Sequence, residues 1–250
     1  MRTRRRTTEQ QFLRAVRGRG GYRAKAGRKP GRTSPWVPHV RRPELSRHQA
    51  VHVTLHRSCG PVSGPDALRA SPVHVVEALP SLRRPSPTRL VQAVFRAECD
   101  RKGFRLVHYA IRSNHLHLVC EAEEREALSR GIQRLASRIA RRLNELLGRT
   151  GRFFRDRFHG RIISTPRQTR NVLSYVLLNE HKDRARQAEL VRGIDEYSSG
   201  CFFDGWADVS PRPPLDGERA PPVTHARSWL LRLGWRRHGL LRTTERALPP

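Results

Sequence analysis

Four side chains in this 250-residue sequence have the types and spacings that phosphoryl chemistry needs. His115 and His117 stand two apart in the run His115–Cys120, which reads as a β-strand. Side chains alternate faces on a strand, so both imidazoles project one way while Leu116, Leu118 and Cys120 point into a core. Two nitrogens on one face can form two corners of a metal site. Alone, a His-x-His pair describes packed or surface histidines equally well. Tyr175 and Asn179 lie four apart on the last predicted helix, about one turn. Both fall on the flank of an apolar stripe made by Val172, Leu173, Val176 and Leu177, and Lys182 extends that flank. A flank tyrosine can simply pack its ring and give its hydroxyl to water. Asparagine is a mediocre helix former, and its amide oxygen can bind a hard cation. Together the four residues supply a reaction. An aligned phenol attacks phosphorus, and a cation stabilises the charge developing on the phosphoryl group. The resulting phosphotyrosine conserves the phosphodiester energy, so rejoining needs no ATP.

Positioning these groups requires a sheet and at least two helices. Val51, Val53 and Leu55 alternate with His52, Thr54 and His56, the pattern of a half-buried strand. Residues 57–80 carry Gly and Pro breakers and a second short apolar run, Val73–Val76, so the place of the first strand stays open. Thr88 is expected to cap a helix reaching Lys102, with Gly103 as its C-terminal cap and Leu90, Val91, Val94, Phe95 and Cys99 as its stripe. Phe104–Ile111 and His115–Cys120 are joined by three residues, which implies an antiparallel hairpin. A helix from about Glu124 to Leu147 follows, with Leu128, Ile132, Leu135, Ile139, Leu143, Leu146 and Leu147 at helical spacing and Gly148 as its stop. A final helix spans about Pro166 to Gln187. The order β, α, β, β, α, β, α predicts an α+β fold, one antiparallel sheet layer covered by helices. Three regions are expected: a disordered basic arm over 1–47, a catalytic domain over 48–190, and a basic, Pro-rich extension over 191–250.

Charge points to the partner. Fifty Lys and Arg against 22 Asp and Glu leave +28, a self-repulsion that a polyanion relieves. Arg152, Arg155, Arg157 and Arg161 interleave with Phe153, Phe154 and Phe158, where arginines can neutralise phosphates and aromatics can stack on unpaired bases. Arg134, Arg138 and Arg141 on the long helix, and Lys182, are further candidates for phosphate contact. His52, His56 and His108 share the sheet with the pair and read as structural or electrostatic. No apolar run reaches the ~18 residues of a membrane span, and no apolar signal core follows the basic start. Four cysteines without a CxxC pair suit a reducing cytoplasm, with the chain on the nucleoid.

The segment Ser113-Asn-His-Leu-His-Leu-Val119 resembles the signature of HUH-type single-tyrosine transposases, most closely the REP-associated tyrosine transposases. Other blocks follow in that family's order. Val51-His-Val-Thr-Leu55 resembles its first strand, Gly151–Gly160 the block before the last helix, and Tyr175-Val-Leu-Leu-Asn179 the block with the nucleophile. The arm Ala26-Gly-Arg-Lys-Pro-Gly-Arg32 recurs upstream and resembles an AT-hook. The likeness covers roughly 26–206, with a longer 57–80 segment and Ser113 where related chains often carry Pro. It implies a ferredoxin-like or RRM-like fold, Mg²⁺ or Mn²⁺ on His115, His117 and Asn179, and Tyr175 as nucleophile. The implied substrate is single-stranded DNA with hairpin stems, cut to a 5′-phosphotyrosine and a free 3′-OH by a monomer or homodimer. Two other classes compete: a domesticated DNA-binding protein that no longer cuts, and a zinc hydrolase using the histidine pair.

Overall fold

The computed structural model describes residues 42–57, 79–154, 157–184, 194–210 and 220–245, and for 179–184 the backbone alone. The Val73–Val76 run, the AT-hook-like stretch and the basic arm up to residue 41 lie outside the described residues. The main elements are β1 (Ala50–His56), α1 (Pro85–Glu98), β2 (Asp100–Arg101), β3 (Phe104–Ile111), β4 (His115–Ala122), α2 (Arg125–Leu146), β5 (His159–Ile163) and α3 (Pro166–Arg184). They form one five-stranded sheet in the order β2-β3-β4-β1-β5, antiparallel at every pairing. With β1 and β4 central and α1 and α2 as crossovers, this is the expected ferredoxin-like α+β layer, extended by the short edge strand β2.

The two sheet faces carry different covers. Val51, Val53 and Leu55 of β1 and Leu116, Leu118 and Cys120 of β4 join Val91, Val94 and Phe95 of α1 and Leu128, Ile132, Leu135, Ile139 and Leu143 of α2 in one core. The opposite face, with Ala50, Val119 and Ile163, packs against Val172, Leu173, Val176 and Leu177 of α3. β1 is therefore covered on both sides, and even His52 is buried, rather than half-exposed as its alternation suggested. In β3 a bulge between Leu106 and His108 shifts the register by one residue. Phe104 and Leu106 before it, and Tyr109 and Ile111 after it, consequently reach the same core.

Several local expectations are corrected. Pro85 opens α1, where its missing N–H costs nothing, and Thr88 sits inside the helix, buried, with its hydroxyl donating to the Leu82 carbonyl at 2.8 Å. The helix stops at Glu98, and the next residues pair with β3 instead. Gly103, at φ +75°, serves the two-residue Lys102-Gly103 hairpin turn rather than a helix cap. Leu146 faces solvent (45% exposed) because the last turn of α2 runs past the core. Phe153, Phe154 and Phe158 are all buried in the core beneath α2, so none is free to stack on a base.

The part read as an extension also contributes to the core. Phe203, Trp206, Leu231, Trp235 and Leu241 join the α3 layer. The carboxylate of Glu121 on β4, 1% exposed, accepts from the backbone amides of Arg227 and Ser228 at 2.9 and 2.8 Å and pairs with Arg105 at 3.1 Å. Among the described residues no helix is long and apolar enough to cross a membrane.

Gly131, mid-helix in α2, lies so close to the Phe104 ring that an added Cβ would stand 2.3 Å from it. Gly→Ala in a helix interior ordinarily gains about 1 kcal/mol. Here overpacking reverses the sign: Gly131→Ala should cost about 1–3 kcal/mol in denaturant unfolding.

Candidate active site

Register sets the site. In the β1–β4 pairing His56 faces His115 and Thr54 faces His117, while β5 sets Arg161 opposite His52 and His159 opposite Thr54. Cross-strand partners share a face, so four histidines of β1 and β4 line up on the side that α3 covers. The His52 and His117 rings stack at 5.2 Å, and those of His56 and His115 stand 5.0 Å apart. α3 lays Tyr175 edge-on over this row, its ring centroid 5.1 Å from His117 and 5.9 Å from His52. Its apolar stripe is buried against the sheet, and Tyr175, on the flank, stays partly exposed. His115, His117 and Tyr175 are thus brought together.

The hydrogen bonds define what the pair can hold. The Asn114 amide oxygen accepts from His115 Nδ1 at 2.7 Å, which leaves the lone pair on His115 Nε2. That nitrogen stands 3.0 Å from His117 Nε2. His117 Nδ1 lies 3.1 Å from His52 Nε2 and 3.4 Å from Thr54 Oγ1. Two tautomers satisfy this chain. With its proton on Nε2, His117 donates to His115 while His52 donates to its Nδ1. With the proton on Nδ1, it donates to His52 or Thr54, and both Nε2 lone pairs converge on one point. Two nitrogens bound at right angles about 2.1 Å from one ion stand about 3 Å apart, so the donor set fits a cation.

Electrostatics keep the rings neutral, as metal ligation requires. Burial, then the neighbouring His52, His115 and Arg112, lowers His117 to about 2. Burial, His56 and Arg112 lower His115 to about 4. Burial, His159 and Arg161 lower His52 to about 4. Among the described residues no group of three His, Cys, Asp or Glu is placed to hold a metal. The backbone of Asn179 lies one turn past Tyr175 on α3; its side chain, that of Lys182, and Arg155 lie outside the described residues.

The arginines divide between the faces. Arg161 is exposed and shares the face of the histidines. Arg152 and Arg157 instead line a cleft of about 600 Å³ beside α2, with Arg42 and the buried phenylalanines, on the far side of the sheet. Arg134 and Arg138 also belong to α2 and turn toward the buried Glu98 carboxylate, at 3.8 and 2.9 Å. Arg141 is exposed on the same helix. Sequence reasoning named His52 only as structural and missed Thr54 and Asn114, which orient the pair. The signal was the phase of β1: His52, Thr54 and His56 occupy every second position, so any antiparallel pairing with β4 lays them beside His115 and His117.

A pH profile tests the neutral cluster. His52, His115 and the buried His108 are lowered to about 4 and His117 to about 2, from 6.5. The unfolded chain takes up protons that the folded chain refuses, so stability should be level above about pH 6.5 and fall as pH drops toward 4. A thermal midpoint that stays flat from pH 7 to about 4.5 would contradict it.

Residues 82–179 match the family model described as "Transposase IS200 like". The structure is similar to a "REP associates tyrosine transposase bound to a REP hairpin", at 12% identity and a TM-score of 0.41, over 59% of this chain and 74% of that one. No curated protein matches the chain. The matched segment begins before α1 and ends at Asn179, so it contains both the histidine pair and Tyr175. Over residues 82–179 this chain is similar to the IS200-like transposases.

Proposed function

We propose that the chain is a metal-dependent single-stranded DNA endonuclease and strand transferase that works through a 5′-phosphotyrosine. One observation carries this reading: the Tyr175 ring lies 5.1 Å from His117, whose Nε2 converges with that of His115 at 3.0 Å. A nucleophile and a candidate cation-binding pair thus meet on one face of the sheet. His115, His117 and Asn179 would hold Mg²⁺ or Mn²⁺, which would supply polarisation of a phosphoryl oxygen. Tyr175 Oη bonds to phosphorus as the P–O3′ bond breaks, the phenol proton passes to solvent, and the 3′ oxygen leaves as a hydroxyl. A later 3′-hydroxyl reverses the step and releases the tyrosine. Asn114 fixes His115, and His52 with Thr54 fixes His117, so neither imidazole must reorganise during the reaction.

Hairpin-flanked single strands are the proposed substrate, on the resemblance of the ordered motifs to REP-associated tyrosine transposases. Arg161 is the phosphate contact nearest the reacting centre. Arg152 and Arg157, with Arg155 and Lys182, serve phosphates farther along the DNA. Arg134 and Arg138, engaged with Glu98, add positive field from across the sheet.

Incubation with a hairpin oligonucleotide and Mg²⁺ or Mn²⁺ should yield a denaturation-resistant protein–DNA adduct. Tyr175→Phe should abolish the adduct and leave binding within about twofold, since only a hydroxyl is lost. Binding without any adduct from the wild type would identify a silent DNA-binding protein. Hydrolysis without an adduct, with zinc retained, would identify a hydrolase using water. Asn114→Ala should weaken Mn²⁺ binding about tenfold by calorimetry, because the His115 ring loses its anchor. Unchanged Mn²⁺ affinity would show that Asn114 does not support the metal site.

A further inference from the structure

The helical turn Trp229–Arg232 and the 3-10 turn Gly234–His238 carry an aromatic that the reaction does not use. Trp229 is 47% exposed, while Trp206 and Trp235 are buried. Exposure has not left its ring loose. Gly234 packs so tightly beneath it that an added Cβ would stand 2.6 Å from Trp229 Cζ3. The Arg237 guanidinium lies 4.9 Å from the ring centroid. The ring is one wall of a groove of about 370 Å³ whose other walls are His48, Gln49, Ser164, Pro166 and Leu230. A flat, fixed π-surface bordered by an imidazole, an amide and a hydroxyl offers both stacking and polar contacts to a planar heterocycle.

Charge selects the occupant. Residues 226–244 contain five arginines and no acid, and Arg227, Arg232, Arg237 and Arg242 are exposed. Such a surface repels a second copy of itself and attracts a polyanion. Pro166 opens α3, two residues after Ser164, and stands nine residues before Tyr175, or about 14 Å along the helix. A few unpaired nucleotides bridge that span.

We infer that Trp229 is a stacking platform for an unpaired base of the DNA strand, held a few nucleotides from the phosphate that Tyr175 attacks. This assignment rests on the reading of the chain as a single-stranded DNA enzyme, and it names a binding residue outside the catalytic row. The test titrates the full chain with a short oligothymidylate and with a duplex of equal length. Trp229→Ala should weaken single-strand binding about tenfold while duplex affinity changes by less than about twofold, and Trp229→Phe should retain most of the single-strand affinity. Trp emission should be quenched by the oligothymidylate in the wild type and much less so in Trp229→Phe. An unchanged thermal midpoint for both variants is expected, because the ring adds little to the core. Single-strand affinity unchanged in Trp229→Ala overturns the platform and leaves the transposase reading intact. A wild type that binds no single strand overturns both. Loss of a dimer in sedimentation, with DNA affinity intact, would assign the ring to a second copy and overturn the proposal.

Discussion

The structure turns on the pairing of β1 with β4. That pairing puts Thr54 opposite His117 and His56 opposite His115, and it fixes which face all of these side chains share. A slip of one residue would send the histidines into the α1–α2 core and Leu116 and Leu118 toward α3. Each strand alternates an aliphatic set with a polar set, and burial of the aliphatic set against two helices locks the register. Hydrophobic packing on one side of the sheet therefore sets nitrogen positions on the other. The short side-chain bonds from Asn114, Thr54 and His52 then refine an arrangement that the backbone has already made.

Neutrality follows from the same layering. α3 covers the histidine row well enough to strip water from it, and the arginines and histidines nearby raise the cost of adding a proton. The row thus offers lone pairs within a strongly basic chain, where a cation would otherwise find little to bind. Its opening lies at the flank of α3, where Tyr175 stays partly exposed. On the proposed reading, a phosphate backbone attracted by the positive charge would meet the lone pairs and the phenol together.

Much of this was legible in the sequence because it depends on local periodicity. The hairpin of β3 and β4, the long helix with its five buried aliphatic positions, and Tyr175 on the flank of its stripe all follow from alternation or from 3.6-residue spacing. Three things were not legible. The β3 bulge breaks strand phase, so Val107 cannot be assigned a face from its neighbours alone. The phenylalanines among arginines look like a stacking strip, but burial is a tertiary property, and α2 supplies a core that the local run does not reveal. The residues after 191 are rich in Pro and Gly, so they read as a tail. Their few tryptophans and leucines nevertheless fill the α3 layer, where contacts distant in sequence decide the outcome.

Glu121 gives this last point a direction in time. Its buried carboxylate sits four residues beyond His117 on the same strand, and its amide partners are made more than a hundred residues later. During synthesis the strand emerges with an anion only partly neutralised by Arg105 and with one side of the tyrosine helix wet. The later segment must arrive before either is sealed. A chain cut short of Arg227 would leave the Glu121 carboxylate without these amides and the α3 layer without Leu231, Trp235 and Leu241.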